Sequence, residues 1–255
     1  MRVNIIGSGN VATHMATWLF EKGVKIDCVY SQSLINAEKL ANRVDSEFTN
    51  EIMFLKSDVN LNIVSIKDSA IFEVAKKLSK ETPVVHTSGG VTIEVFAGFA
   101  NFGILYPLQT FSKDIALKIN DIPFLIETNV ANFERELVMF VESYLSSFVK
   151  IASSEERKII HLSAIISNNF MTYLLEVSKE ILGSHDISLN ILKPLIDETI
   201  RKSFANGPKE SLTGPAVRGD FELVDIYSEM IKDESFKEIF KEINDGISRA
   251  NFKIL

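Results

Sequence analysis

The sequence predicts an α/β Rossmann domain followed by an all-α C-terminal domain, and three observations carry the prediction. A glycine-rich turn, Gly7-Ser8-Gly9-Asn10-Val11-Ala12, comes directly after a β-branched run; short apolar runs then alternate with helical periodicity; and beyond Ile151 the strand-like runs stop. The expected division is a dinucleotide-binding domain over residues 1–151 and a helical domain for substrate binding and dimerisation over 152–255.

The elements follow in order. Val3 to Ile6 reads as the first strand, and Val11, Met15, Trp18 and Leu19 recur at helical spacing in a helix from about Asn10 to Lys22, stopped by Gly23. Lys25 to Tyr30 is a second strand, Ser33 to Arg43 a second helix, and Asn62 to Ile66 a buried strand announced by Lys56-Ser57-Asp58. Val84 to His86 makes another. Pro107, Pro123 and Phe124-Leu125-Ile126-Glu127 mark further strands before an amphipathic helix from about Val130 to Phe148. Ser153, three residues before Glu156, forms a capping box that opens one long helix from about Glu155 to Leu182, ended by Gly183. Helices from Leu189 to Phe204, Phe221 to Lys232 and Ser235 to Asn251 complete the chain.

Composition bounds the function. The 255 residues are 46% hydrophobic and 24% charged, with a net charge of −7 and no stripe of Lys and Arg, so nucleic acid is not the expected partner. Cys28 is the sole cysteine, which excludes an intrachain disulfide and fits a reducing cytoplasm. The four histidines, His14, His86, His161 and His185, are scattered without metal-ligand spacing, so no metal is expected. The N-terminal apolar run is too short for a signal peptide, and no run reaches the roughly 18 residues of a membrane span, so a soluble protein is expected.

The turn carries the chemistry. Its spacing matches the Gly-x-Gly-x-x-Gly/Ala pattern of dinucleotide sites: Gly7 permits the tight turn, Gly9 lets the backbone approach a pyrophosphate, and Ala12 keeps helix and strand close. The helix N-terminus adds amides and a positive dipole end, so Gly7, Ser8, Gly9, Asn10, Val11 and Ala12 are the expected cofactor-binding residues. NAD-preferring sites carry an acid about 20 residues on. Here the second strand ends in Ser31-Gln32-Ser33, while Asp27 lies inside the strand. NADP is therefore the expected cofactor, held with the help of Ser31, Gln32 and Ser33; NAD stays open because no phosphate-binding Arg stands there, and Ser33 also suits an N-cap.

Three further groups stand out. Ser88-Gly89-Gly90 follows a strand and offers a hydroxyl and unshielded amides at the carboxyl edge of the sheet, where open α/β sheets bind ligands. Ser88 is accordingly a candidate catalytic residue, and Gly89 and Gly90 are candidate substrate contacts. His161, Asn168 and Thr172 fall on one face of a regular helix; His161 suits proton exchange near neutral pH, and Asn168 suits orienting a carbonyl or carboxylate. Arg218, in Gly214-Pro215-Ala216-Val217-Arg218-Gly219-Asp220, suits an anionic substrate, with Asp220 as cap of the next helix. Each has a purely structural alternative: a strand-to-helix turn, a packed polar face and a bridge between helices, respectively.

On these motifs, with His86-Thr87-Ser88-Gly89-Gly90 and Tyr106-Pro107-Leu108-Gln109-Thr110-Phe111-Ser112, nearly the whole chain resembles the bacterial oxidoreductase-like proteins that join a Rossmann-like domain to a helical C-terminal domain of unknown function. More remotely it is similar to pyrroline-5-carboxylate reductases, deazaflavin-dependent NADP reductases and 3-hydroxyacid dehydrogenases. That resemblance implies hydride transfer with substrate between the nicotinamide and the helical domain. Two family residues are missing. The catalytic Lys of 3-hydroxyacid dehydrogenases, four residues before an Asn, is replaced by Ala164 and Ile165 before Asn168 and Asn169, and the His-Pro pair of prephenate dehydrogenase-like enzymes by Tyr106-Pro107. The sequence thus leads to a homodimeric NADP-dependent oxidoreductase acting on a small polar molecule, with a non-catalytic nicotinamide-binding or redox-sensing protein as the alternative.

Overall fold

The computed structural model describes residues 1–113, 115 and 117–249. Eight strands form one sheet: β1 (Arg2–Ile6), β2 (Lys25–Tyr30), β3 (Glu47–Thr49), β4 (Leu61–Val64), β5 (Val84–His86), β6 (Phe102–Pro107), β7 (Phe124–Thr128) and β8 (Val149–Ile151). Their order is β3-β2-β1-β4-β5-β6-β7-β8; all neighbours are parallel except β6 and β7. The strand order therefore reverses between β1 and β4, and the carboxyl ends of these two strands leave the crevice in which such sheets take ligands.

The crossovers are α1 (Asn10–Glu21), α2 (Leu34–Arg43), α3 (Asp68–Ala75) and α4 (Ala131–Tyr144), and α5 (Ser154–Ala164) follows β8. Strand alternation splits the core. Val3 and Ile5 join Met15, Leu19, Leu40 and Phe140 on one face, while Ile6 joins Val64, Ile71, Phe96 and Phe102 on the other. Asn4, at 0% exposure on β1, is tolerated because its amide donates to Asn62 Oδ1 at 2.9 Å and to the Lys56 carbonyl at 3.0 Å.

The chain divides into two compact units, Met1–Met171 and Thr172–Leu255. The expected capping box at Ser153 and Glu156 is present. The single long helix expected after it is not: α5 gives way to a π-helical segment, Ile165–Phe170, before α6 (Met171–Gly183). Because π turns hold more residues than α turns, the regular spacing that put His161, Asn168 and Thr172 on one face does not carry through the segment.

In the second unit, α7 (Lys193–Asn206), α8 (Pro208–Ser211), α9 (Pro215–Arg218), α10 (Phe221–Met230) and α11 (Glu234–Arg249) are all helical; positions 250 and 251, expected to finish the last helix, lie outside the described residues. Asp220 occupies the N-cap position of α10 but makes no side-chain capping bond, contrary to expectation. Two short strands, β3 and β8, and helix α3 were not foreseen.

Candidate functional site

A cleft of about 680 Å³ opens at the carboxyl ends of β1, β4, β5 and β6. Its floor is the turn after β1. Gly7 has φ +128°, and a Cβ there would lie 2.1 Å from the Ser65 carbonyl oxygen, so the close packing of β1 on β4 requires glycine. Gly9 differs: it is the N-cap of α1 with φ −75°, open to any residue, and a Cβ would meet nothing within 4 Å among the described residues. Its missing side chain is not demanded by the fold. Ala12 is fully buried within the first turn of α1, and Val11 and Asn10 line the cleft, the Asn10 amide donating to the Phe111 carbonyl at 2.7 Å.

The end of β2 closes one side. The Ser8 hydroxyl donates to Ser31 Oγ at 2.8 Å, and Ser31 and Gln32 both line the cleft. Ser33 is engaged as N-cap of α2, accepting from the Asn36 amide at 3.4 Å. Asp27 is locked elsewhere, 2.6 Å from Arg2 and 3.5 Å from Lys56. Burial pushes its carboxyl up, but the Arg2 hydrogen bond and charge, with those of Lys56, bring it below the usual carboxylate range.

The opposite side comes from β5, β6 and α5. The Ser88 hydroxyl accepts from the amides of Gly90 and Val91, both at 3.1 Å, and thereby folds its loop. Gly89 is held tightly: a Cβ there would lie 2.7 Å from His161 Nδ1 and 2.9 Å from Tyr106 Cζ. Gly90 faces the Asp68 carboxylate, 3.6 Å from where its Cβ would be. Tyr106 and His161 stand edge to face, with the phenol oxygen 2.9 Å from Nδ1, and both line the cleft with Ser88 and Gly89. Asn168, on the π-helical segment, donates to Asn169 Oδ1 at 3.0 Å and is not one of the cleft-lining residues. Arg218 is exposed at the end of α9 in the second unit.

Beneath this wall lies a group the sequence did not flag. Arg157, one helical turn before His161, has 0% exposure. Its guanidinium donates to Glu127 at 2.6 Å, to Ser154 Oγ at 3.2 Å and to the Val91 carbonyl, so one side chain ties α5 to β7 and to the loop after Ser88. A buried Arg with one carboxylate and one carbonyl partner fixes the mutual position of three elements. Ser154 strengthens the tie by donating to the same Glu127 oxygen at 2.6 Å.

His86 is fully buried against Phe96, and its Nδ1 accepts from the Ser88 amide at 3.1 Å, which places its proton on Nε2, 3.4 Å from the Thr92 carbonyl. Burial, opposed by the Thr92 carbonyl, draws the imidazole from 6.5 down to about 4. The fold thus favours the neutral ring. Above pH 6.5 this preference has no consequence, since the unfolded chain is neutral too; from pH 6.5 down to about 4 the unfolded chain binds a proton that the folded one refuses, and up to about 3 kcal/mol of stability is lost. Urea melts over that window are expected to show the loss, with a flatter pH slope in His86→Gln.

Among the described residues no three His, Cys, Asp or Glu side chains gather as metal ligands, and no helix is long and apolar enough to cross a membrane.

A provisionally assigned NADP oxidoreductase of Bacteroides fragilis is 32% identical over 97% of this chain and 98% of its own, with a TM-score of 0.90. This chain belongs to that protein's family. The model for a domain of unknown function, DUF2520, matches residues 122–247 of this chain, a span that takes in β7, α4, β8 and the helices after them. No curated protein matches the sequence significantly. The fold extends further: a 1-pyrroline-5-carboxylate reductase of Streptococcus pyogenes aligns over 98% of both chains at 16% identity with a TM-score of 0.61. An imine reductase of Myxococcus stipitatus in complex with NADP+ aligns over 98% of this chain and 92% of its own, at 11% identity with a TM-score of 0.64. At such identities the likeness shows the fold alone.

Proposed function

We propose that this protein is an NADP-dependent oxidoreductase that transfers a hydride between nicotinamide and a small polar substrate at the cleft beside β1, β4, β5 and β6. When bound, the nicotinamide supplies the hydride; the protein supplies binding, orientation and electrostatics. One observation carries the reading: at the N-terminus of α1, Gly9 leaves backbone amides unshielded although nothing among the described residues needs the space. A pyrophosphate suits that position, met by the turn from Gly7 to Ala12 and the positive end of the helix dipole. The Bacteroides relative supports NADP as the dinucleotide.

Ser31 and Gln32 stand where an NAD site would carry a carboxylate, and Asp27 is held by Arg2 too firmly to replace it. NADPH is expected to bind more tightly than NADH in calorimetry, by at least about tenfold, or about 1.4 kcal/mol. Ser31→Asp places a carboxylate beside the 2′-phosphate and is expected to reverse that order. An unchanged order would remove Ser31 from the 2′-phosphate site. Ser88, Gly89, Gly90 and His161 are assigned to the substrate side, with Asn168 a further polar group of the same unit. Oxidation of NADPH across a panel of imines, oxo acids and hydroxy acids tests the activity; tight binding without turnover of any of them would favour a non-catalytic sensor.

The working assembly in this reading is a homodimer in the cytoplasm. Helices α6, α7 and α11 carry no fully buried residue, and Leu195 and Phe204 are 65% and 90% exposed. Apolar helix faces of this extent call for a partner surface. Light scattering is expected to give twice the chain mass, and a monomer would contradict the assignment.

A further inference from the structure

We infer that Tyr106 and His161 form a single proton-donating unit of the cleft, the phenol fixing the histidine as its Nε2–H tautomer and replacing the proton that the ring gives up. This rests on the oxidoreductase reading above. The contact itself is direct: the phenol oxygen lies 2.9 Å from Nδ1, the rings meet edge to face, and both side chains line the cleft beside Gly89. Gly89 has no room for a Cβ against either ring, so the loop closes on the pair as a unit. A phenol is the better acid of the two donors, so its O–H points to Nδ1 and leaves the ring proton on Nε2, as any partner of one ring nitrogen fixes the other.

Hydride addition to a C=O or C=N carbon breaks the π bond and leaves an electron pair on the heteroatom, which must take a proton. In the proposed step Nε2–H gives that proton while Nδ1 takes the phenol proton in its place; a proton from water then returns to Nε2, and the Nδ1 proton goes back to the Tyr106 phenolate. The balance needs NADPH as hydride source and one proton from water; oxidation runs the same transfers backwards. The charged groups bearing on Tyr106 are Arg157 and Asp68. Burial pushes the phenol up, Arg157 draws it down and Asp68 pushes it up again, with a net rise that keeps it protonated at neutral pH. The phenolate, once formed, has the Arg157 charge to face.

The test uses the full chain with NADP+ bound, after calorimetry has shown that the unsubstituted protein and each variant bind it; failure of the unsubstituted protein to bind would sink the oxidoreductase reading and not this one. In protein labelled with nitrogen-15 histidine, at alkaline pH, His161 is expected to show an unprotonated, hydrogen-bonded Nδ1 and a protonated Nε2, assigned by their loss in His161→Gln. Tyr106→Phe keeps the ring contact, and is expected to scramble this tautomer while leaving His14, His86 and His185 unmoved. With any compound of the panel that turns over, Tyr106→Phe and His161→Gln each lower kcat about 100-fold at unchanged KM for NADPH, and the double variant is no slower than either. A proton on Nδ1 in the unsubstituted protein, or Tyr106→Phe with unchanged His161 signals, overturns the proposal without any substrate being known.

Discussion

Gly9→Asp is expected to weaken NADPH binding at least about 100-fold, roughly 2.7 kcal/mol, while leaving the fold as stable as before. Two like charges about 4 Å apart repel by about 4 kcal/mol near a protein surface, so a carboxylate beside the pyrophosphate is enough for the loss. Stability is spared because Gly9 has an ordinary extended backbone, a Cβ there meets no atom of the described residues, and Asp is a favoured N-cap for α1. Gly7→Ala is the converse. Its Cβ would meet the Ser65 carbonyl at 2.1 Å with φ at +128°, so it is expected to destabilise by about 2–4 kcal/mol from strain and overpacking. Thermal melts and NADPH calorimetry on both variants separate the glycine that folds the turn from the glycine that leaves room for a ligand. Undiminished affinity in Gly9→Asp would place the dinucleotide elsewhere.

The same contrast explains what was legible in the sequence. The β1 turn and α1 could be read because every signal there is local: a β-branched run, two glycines at fixed spacing, and apolar positions repeating along one helix. Strands β3 and β8 could not, since three residues each, mostly exposed, carry no alternation to read. The π-helical segment was invisible for a similar reason: Ile165 to Phe170 has the composition of any amphipathic helix, and only the structure shows the change of pitch. In sequence Tyr106 stands out as a departure from a His-Pro pair and not as a partner of His161. The two are 55 residues apart and meet only because α5 docks against the sheet. That docking depends on Arg157, which in sequence is one more charge in Glu155-Glu156-Arg157-Lys158. Its position four residues before His161, on the same helix face, was the available signal.

Arg157→Met is therefore the informative substitution in the second half of the Rossmann unit. Methionine keeps much of the stem's volume but leaves Glu127 without its cation and the Val91 carbonyl without its donor, and breaking such a buried pair from one side costs about 3–5 kcal/mol. A fall of that size in urea melts is the expected result, and a change below about 1 kcal/mol would show the pair to be solvated. Adding Glu127→Leu removes the stranded carboxylate, and apolar replacement of a whole buried pair is often neutral. The double variant is expected to regain most of the stability. It does not regain the tie between α5, β7 and the loop after Ser88, because that tie is the guanidinium itself. Hydride transfer in the double variant is accordingly expected to stay below that of the unsubstituted protein after the fold has recovered. Full recovery of both would mean that Gly89 and the helix cap at Ser153 alone hold His161 against Tyr106, and that Arg157 serves stability only.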